Sequence, residues 1–160
     1  VVGERDVGKR MLGLQRHQVT PALPFQALRR LGGFEIAALT GVILGCAKNR
    51  IPLVVDGFIT SAAFLVAYRL TPKVRDFAFF SHYSEEPGHL KFFETLETEP
   101  LLDLGMRLGE GTGAALALNI LEGALRAHAE MATFASAKVP TQVKRNKTKS
   151  QPPVSSRANP

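Results

Sequence analysis

The chain has a single cysteine, Cys46. That excludes an intramolecular disulfide framework and any zinc or iron–sulfur site built on several cysteines, so its chemistry rests on oxygen and nitrogen groups. Long apolar runs are also missing. The uncharged stretch Ile36–Ala47 is twelve residues, short of the roughly 20 that a bilayer-spanning helix needs, and no basic segment followed by an apolar one marks a secretory signal. No membrane role is implied, and a cytoplasmic location is expected. Acidic residues are absent from positions 138–160, which hold six of the twenty Lys and Arg. Methionine is absent from position 1, which raises the expectation that sequence is missing upstream.

What is present suits one folded domain: 160 residues, 45% of them apolar, enough to bury a core. With the basic tail set aside, residues 1–137 carry fourteen charges of each sign and are formally neutral. An isoelectric point near 9.8 ordinarily points to nucleic acid or an anionic membrane. Here the excess belongs to a polar tail, so no nucleic-acid face is expected. The composition separates three parts: a poorly defined segment 1–27 with at most a short helix around Lys9–Gln18, an α/β domain 28–137, and a basic tail 138–160 whose composition predicts disorder.

Within the domain, Phe25, Leu28 and Leu31 have helical spacing from Pro24 to the Gly32-Gly33 pair. A second helix runs from Phe34 to about Asn49. Its lack of charge predicts a buried core helix, with Gly41 and Gly45 allowing another backbone to approach closely. Ile51–Val55 is apolar on consecutive positions, as in a parallel strand buried on both faces. An apolar helix over 58–69 and a second strand over Asp76–Ser81 complete a βαβ crossover. Ser81–Gly88 reads as a loop, 89–96 as a helix, Pro100–Leu104 as a third short apolar piece, and Ala114–Met131 as a helix whose apolar face is Leu118, Leu121 and Leu125. Two or three short parallel strands cannot stand alone, which again favours missing upstream sequence.

In an open α/β sheet, ligands bind beyond the carboxyl ends of the strands. Asp56-Gly57, Ser81–His89 and the glycine-dense Gly105–Gly113 all fall at such ends, and they are expected to converge on one crevice. Glu110, among glycines just ahead of a helix N-terminus, reads either as a general base free to reach a substrate N–H or as a first-turn acid favoured by the helix dipole. The glycines lack dinucleotide spacing, and no Lys-Ser/Thr comes after them as in a P-loop. Asp56 either accepts ribose hydroxyls or caps the helix directly after it. His82, Glu85, Glu86 and His89 meet no metal-ligand spacing, so no metal site is expected. Ser84 reads as a turn residue or a substrate hydrogen bond, and Cys46 as inert core.

Four segments taken together, in order, carry a resemblance. They are Gly32-Gly-Phe-Glu-Ile-Ala-Ala-Leu, Ile51-Pro-Leu-Val-Val-Asp-Gly-Phe-Ile, Ser81-His-Tyr-Ser-Glu-Glu-Pro-Gly-His and Leu101–Leu118 with its Arg-Leu-Gly-Glu-Gly-Thr-Gly core. From about Leu28 to Val139 the chain resembles nicotinate-nucleotide:dimethylbenzimidazole phosphoribosyltransferases. The resemblance implies a Rossmann-like parallel sheet flanked by helices, incomplete because the N-terminal half of the family's fold has no counterpart here. It also implies a homodimer acting on small molecules: phosphoribosyl passes from nicotinate mononucleotide to 5,6-dimethylbenzimidazole in cobalamin lower-ligand synthesis, giving α-ribazole 5′-phosphate and nicotinate without cofactor or metal. The family's general base falls on Glu110. Its substrate contacts fall on Asp56, Gly57, Ser84, Leu108 and Gly109, with Glu35 a further candidate. The alternative is a truncated, non-catalytic relative that binds a nucleotide or base.

Overall fold

The computed structural model describes residues 22–138 together with Leu12, Leu14, Arg16, Val19 and Thr20. Leu12, Leu14 and Arg16 are helical; the rest of the expected Lys9–Gln18 helix, and the tail beyond Lys138, lie outside the described residues. The chain divides into two compact units, one reaching Ala124 and the other starting at Leu125. All the strands among the described residues belong to the first unit. In the second, the helix that began in the first continues to Glu130, and Thr133 and Ser136 tie a short turn through their side chains.

Helix α1, Pro24–Leu31, starts with Pro at its first position, where the missing N–H costs nothing. Helix α2, Phe34–Lys48, ends where Arg50 turns left-handed (φ 57°). Ile51 N–H then reaches back to Cys46 O and Arg50 N–H to Ala47 O, which satisfies carbonyls the helix end would leave bare. Pro52 prevents continuation. Strand β1, Leu53–Val55, leads into helix α3, Phe58–Leu70, then a 3-10 turn at Pro72–Phe77 and strand β2, Ala78–Phe80. β1 and β2 are parallel, Leu53 against Ala78 and Val55 against Phe80, so the crossover unit is present.

Strand β3, His82–Ser84, comes after one further residue, and β4, Leu102–Met106, pairs with it in parallel beyond helix α4, His89–Leu96. The run 78–84 is extended across both ladders: Ser81 N–H donates to Val55 O on one side, and Phe80 O accepts from Leu101 N–H on the other. Ser81–Gly88 is therefore not all loop, as its polar composition predicted. Its first residues are a strand, because His82 and Ser84 are buried polar groups with partners. The β3–β4 register slips between His82 and Ser84, and Gly105 takes φ 60° inside β4, the behaviour of a bulge that redirects the chain beyond it. The third apolar piece thus extends two residues into the glycine-dense segment.

The core gathers Val55 from β1, Ala63, Phe64 and Ala67 from α3, Phe80 from β2, and Phe92, Phe93 and Leu96 from α4. Phe64, Phe92 and Phe93 meet Phe80 edge to face, with ring centroids 5.1–6.0 Å apart, the arrangement that aromatic quadrupoles favour. Two expectations fail here. Helix α2 buries only Thr40 and Ile43, and Phe34 is 98% exposed. An added Cβ at Gly41 or Gly45 would meet nothing within 4 Å, because only one side of this apolar helix has α3 to pack on. Helix α5, Thr112–Glu130, buries Gly113 and Ala117, while Leu118 and Leu125 are exposed. Small residues face inward because this end of the helix lies on His82, where a Cβ at Gly113 would overlap the imidazole.

Candidate active site

The parallel strands bring three segments to one edge, as the topology rule requires. A cleft of about 640 Å³ opens there. Asp56, Gly57 and Phe58 line it from the start of α3; His82, Ser84 and Glu86 from β3 and the turn after it; and Arg107, Gly109, Glu110 and Gly111 from the segment after β4. Among the expected site residues, Asp56, Gly57, Ser84, Gly109 and Glu110 come together. Leu108 is 76% exposed and does not line the cleft, and Glu35, in the first turn of α2, is likewise absent from its walls.

Asp56 does not cap α3, the local reading of Asp-Gly-Phe. Its Oδ1 accepts from Ala114 N–H at 2.8 Å and its Oδ2 from Gly111 N–H at 3.2 Å. The carboxylate therefore caps the far helix, α5, where unpaired N–H groups and the dipole favour an anion. Its side chain is only 14% exposed, and His82 Nδ1 lies 3.6 Å from Oδ1.

Gly109, Glu110 and Gly111 all take positive φ, at 74°, 56° and 80°. The conformation is free for the glycines but costs roughly 1–2 kcal/mol for Glu110. Arg50 and Glu97 take the same conformation where helices end; Glu110 takes it on the wall of a cleft. Among the described residues no cation lies within ion-pair distance of the Glu110 carboxylate; Arg107 instead reaches Glu86, with Nη2 and Oε1 3.5 Å apart across the cleft mouth.

Two buried histidines support the floor. His89 is fully buried, and Ser84 N–H donates to its Nδ1 at 2.9 Å. Nδ1 must then be bare, so the proton sits on Nε2, 3.0 Å from Ser61 Oγ, and Ser61 O–H is left to donate to Asp56 O at 3.5 Å. His89 and Ser61 together thus link the ends of β1 and β3. Burial, with His82 nearby, pushes the His89 pKa down to about 4, against a smaller upward pull from Asp56, so the ring is neutral near pH 7. Among the described residues no three His, Cys, Asp or Glu side chains gather as a metal site would need.

Sequence reasoning passes over His82, Phe58 and Arg107 as site residues. Arg107 stands in plain view in the Arg-Leu-Gly-Glu stretch. His82 carries no local signal, since what makes it a wall of the cleft is the contact with Gly57 and Gly113 from elsewhere in the chain.

Fold and cleft define a parallel α/β protein with an open cleft at its strand ends, and a family model described as phosphoribosyltransferase matches residues 9–139. The chain belongs to the nicotinate-nucleotide:dimethylbenzimidazole phosphoribosyltransferase family. It is 56% identical over 126 residues to the enzyme of that name from Azotobacter vinelandii, an alignment covering 79% of this chain and 36% of the relative. Against the Pseudomonas syringae pv. tomato enzyme of the same name it is 59% identical over 116 residues, covering 72% and 33%. The crystal structure of the Thermus thermophilus enzyme superposes with a TM-score of 0.73 at 42% identity, over 81% of this chain and 38% of that one. The chain spans about a third of the length of the curated relatives it matches.

Proposed function

We propose that this chain contributes the catalytic edge of an enzyme that transfers phosphoribosyl from nicotinate mononucleotide to 5,6-dimethylbenzimidazole, with Glu110 as general base. The two relatives and the Thermus structure carry that activity in their names, and the fit of the chemistry to the cleft supports extending it here. One benzimidazole nitrogen attacks C1′ of the ribose and forms the new C–N bond. The bond from C1′ to the pyridinium nitrogen breaks, and its electron pair returns to the ring, so nicotinate departs without needing a proton. The incoming base must shed its own ring N–H, and a carboxylate within hydrogen-bond reach accepts that proton. Attack from the face opposite the leaving group converts the β-nucleotide into α-ribazole 5′-phosphate.

The observation that carries this reading is the Glu110 carboxylate, presented on the cleft by a strained left-handed turn and without a cation partner among the described residues. In it, Gly57, Ser84 and Gly109 line the space taken by the substrates, and Leu108 and Glu35 contribute only through contacts beyond the cleft walls. A cytoplasmic homodimer belongs to the same proposal, supported by the apolar side chains that α2 and α5 leave exposed, among them Val42, Leu116 and Ile120. Among the described residues no helix is long and apolar enough to cross a membrane.

The test is Glu110→Gln in the product of the complete reading frame that encodes these residues. General-base assistance supplies about 100-fold to 10,000-fold, so kcat should fall by that order while nicotinate mononucleotide still binds by calorimetry. Unchanged turnover removes Glu110 from the role. Binding of both substrates by the unsubstituted protein with no product at all identifies the non-catalytic binder instead.

A further inference from the structure

We propose that Asp56 is the positioning residue for Glu110: its carboxylate holds the Gly111 and Ala114 N–H groups and so aims the left-handed turn, without touching either substrate. The inference rests on the reading of Glu110 as base and adds what keeps that base in place.

The turn has little of its own to hold it. A Cβ added at Gly109 or Gly111 would meet nothing within 4 Å, so no packing wedges the loop on either side of Glu110. Its local support is Thr112 N–H to Gly109 O at 3.1 Å. Asp56 supplies the long-range hold, 55 and 58 residues away in sequence, by gripping the residue next to Glu110 with one oxygen and the first turn of α5 with the other. Only a carboxylate accepts with both arms. Each oxygen is thereby committed to a backbone N–H, which fixes the orientation of the whole group.

Asp56 is itself fixed. It leaves β1 directly after Val55, its carbonyl accepts from Ser61, and His82 stands against Oδ1. His82 is confined in turn by Ser81 Oγ at 3.0 Å, by Gly57 and by Gly113. The chain of contacts runs from the core strand to the base through one carboxylate, and displacement of a catalytic group by about 1 Å can lower a rate about 100-fold.

The experiment compares Asp56→Asn, Asp56→Glu, Glu110→Gln and the double variant Asp56→Asn/Glu110→Gln in the product of the complete reading frame. Asparagine keeps one acceptor and turns the other into a donor, so kcat should fall about 10-fold to 100-fold with KM for both substrates within about 3-fold. Asp56→Glu should recover part of kcat. The decisive reading is the double variant: if Asp56 acts through Glu110, removing both costs no more than removing Glu110 alone. A merely structural residue would lower both backgrounds by the same factor.

Amide hydrogen exchange gives a readout independent of turnover, with Gly111 and Ala114 protected in the unsubstituted protein and released in Asp56→Asn. A rise of about 10-fold or more in KM with kcat kept, additive losses in the double variant, or unprotected amides at Gly111 and Ala114 overturn the proposal. Absence of phosphoribosyl transfer by the unsubstituted protein, with the amides still answering to Asp56, sinks the proposed function and leaves the hold itself upheld.

Discussion

Two acids stand on the same cleft and live in opposite ways. Asp56 sits at the end of a core strand, mostly covered, with both oxygens accepting backbone N–H groups and an imidazole alongside. Glu110 sits on an exposed turn in a backbone conformation that glycine would prefer, with no ion-pair partner among the described residues. The chemistry of the two groups is nearly the same. Their surroundings make one a fastening and leave the other open to the cleft. An acid can be strongly held or available to a substrate, and the proposed reaction calls for one of each.

The largest expected separation comes from removing each side chain in turn. Asp56→Ala strands two N–H groups at the start of α5 and should cost about 2–4 kcal/mol of stability in urea unfolding. Glu110→Ala should stay within about 0.5 kcal/mol. Equal losses would erase the contrast.

Acid tests the Asp56 side alone. His89 is held neutral in the fold with its pKa down at about 4, whereas the unfolded chain protonates near 6.5. Above that range the group contributes no pH dependence. As pH falls from about 6.5 to about 4 the unfolded state binds the extra proton, so stability should drop by up to about 3 kcal/mol. Urea midpoints at pH 7 and pH 4.5 measure it, and His89→Gln should flatten that part of the slope.

Gly113→Ala would drive a methyl into the His82 ring, lifting Ala114 N–H from Asp56. A loss of about 1–3 kcal/mol is expected, against almost none for Gly109→Ser beyond its backbone strain. The smallest effect has the opposite sign. Glu110→Gly relieves the left-handed strain and should raise stability by about 1 kcal/mol while turnover collapses. A less stable Glu110→Gly protein would mean that the turn is not strained at all.

Much of the architecture is legible in the sequence because it is local. Pro24 and the Gly32-Gly33 pair bracket α1, Pro52 and Asp56-Gly57 bracket β1, and apolar runs give the crossover its two strands and helix. The hidden parts depend on partners far along the chain. β3 carries no apolar signal, since the interior accepts His82 and Ser84 only through hydrogen bonds to neighbours such as Ser81 and His89. The inward face of α5 is misread from hydrophobicity, which points to its leucines, whereas the buried positions are Gly113 and Ala117 and the contact at Gly113 leaves no room for a side chain. Helix α2 is legible as a helix, but nothing in its own residues says which side is covered. The site obeys the same pattern. The three segments are visible as strand ends, yet the tie from Asp56 to α5 spans more than fifty residues and leaves no local trace.

The run 78–84 serves the aromatic interior at Phe80 and the cleft at His82 and Ser84, all on positions of one parity. Gain or loss of a single residue between Phe80 and His82 would put them on opposite faces, so the interior and the cleft wall could not both be kept. The length of this segment is therefore fixed more tightly than its side chains: a residue can be exchanged in place, but one added or removed would uncouple the aromatic interior from the cleft.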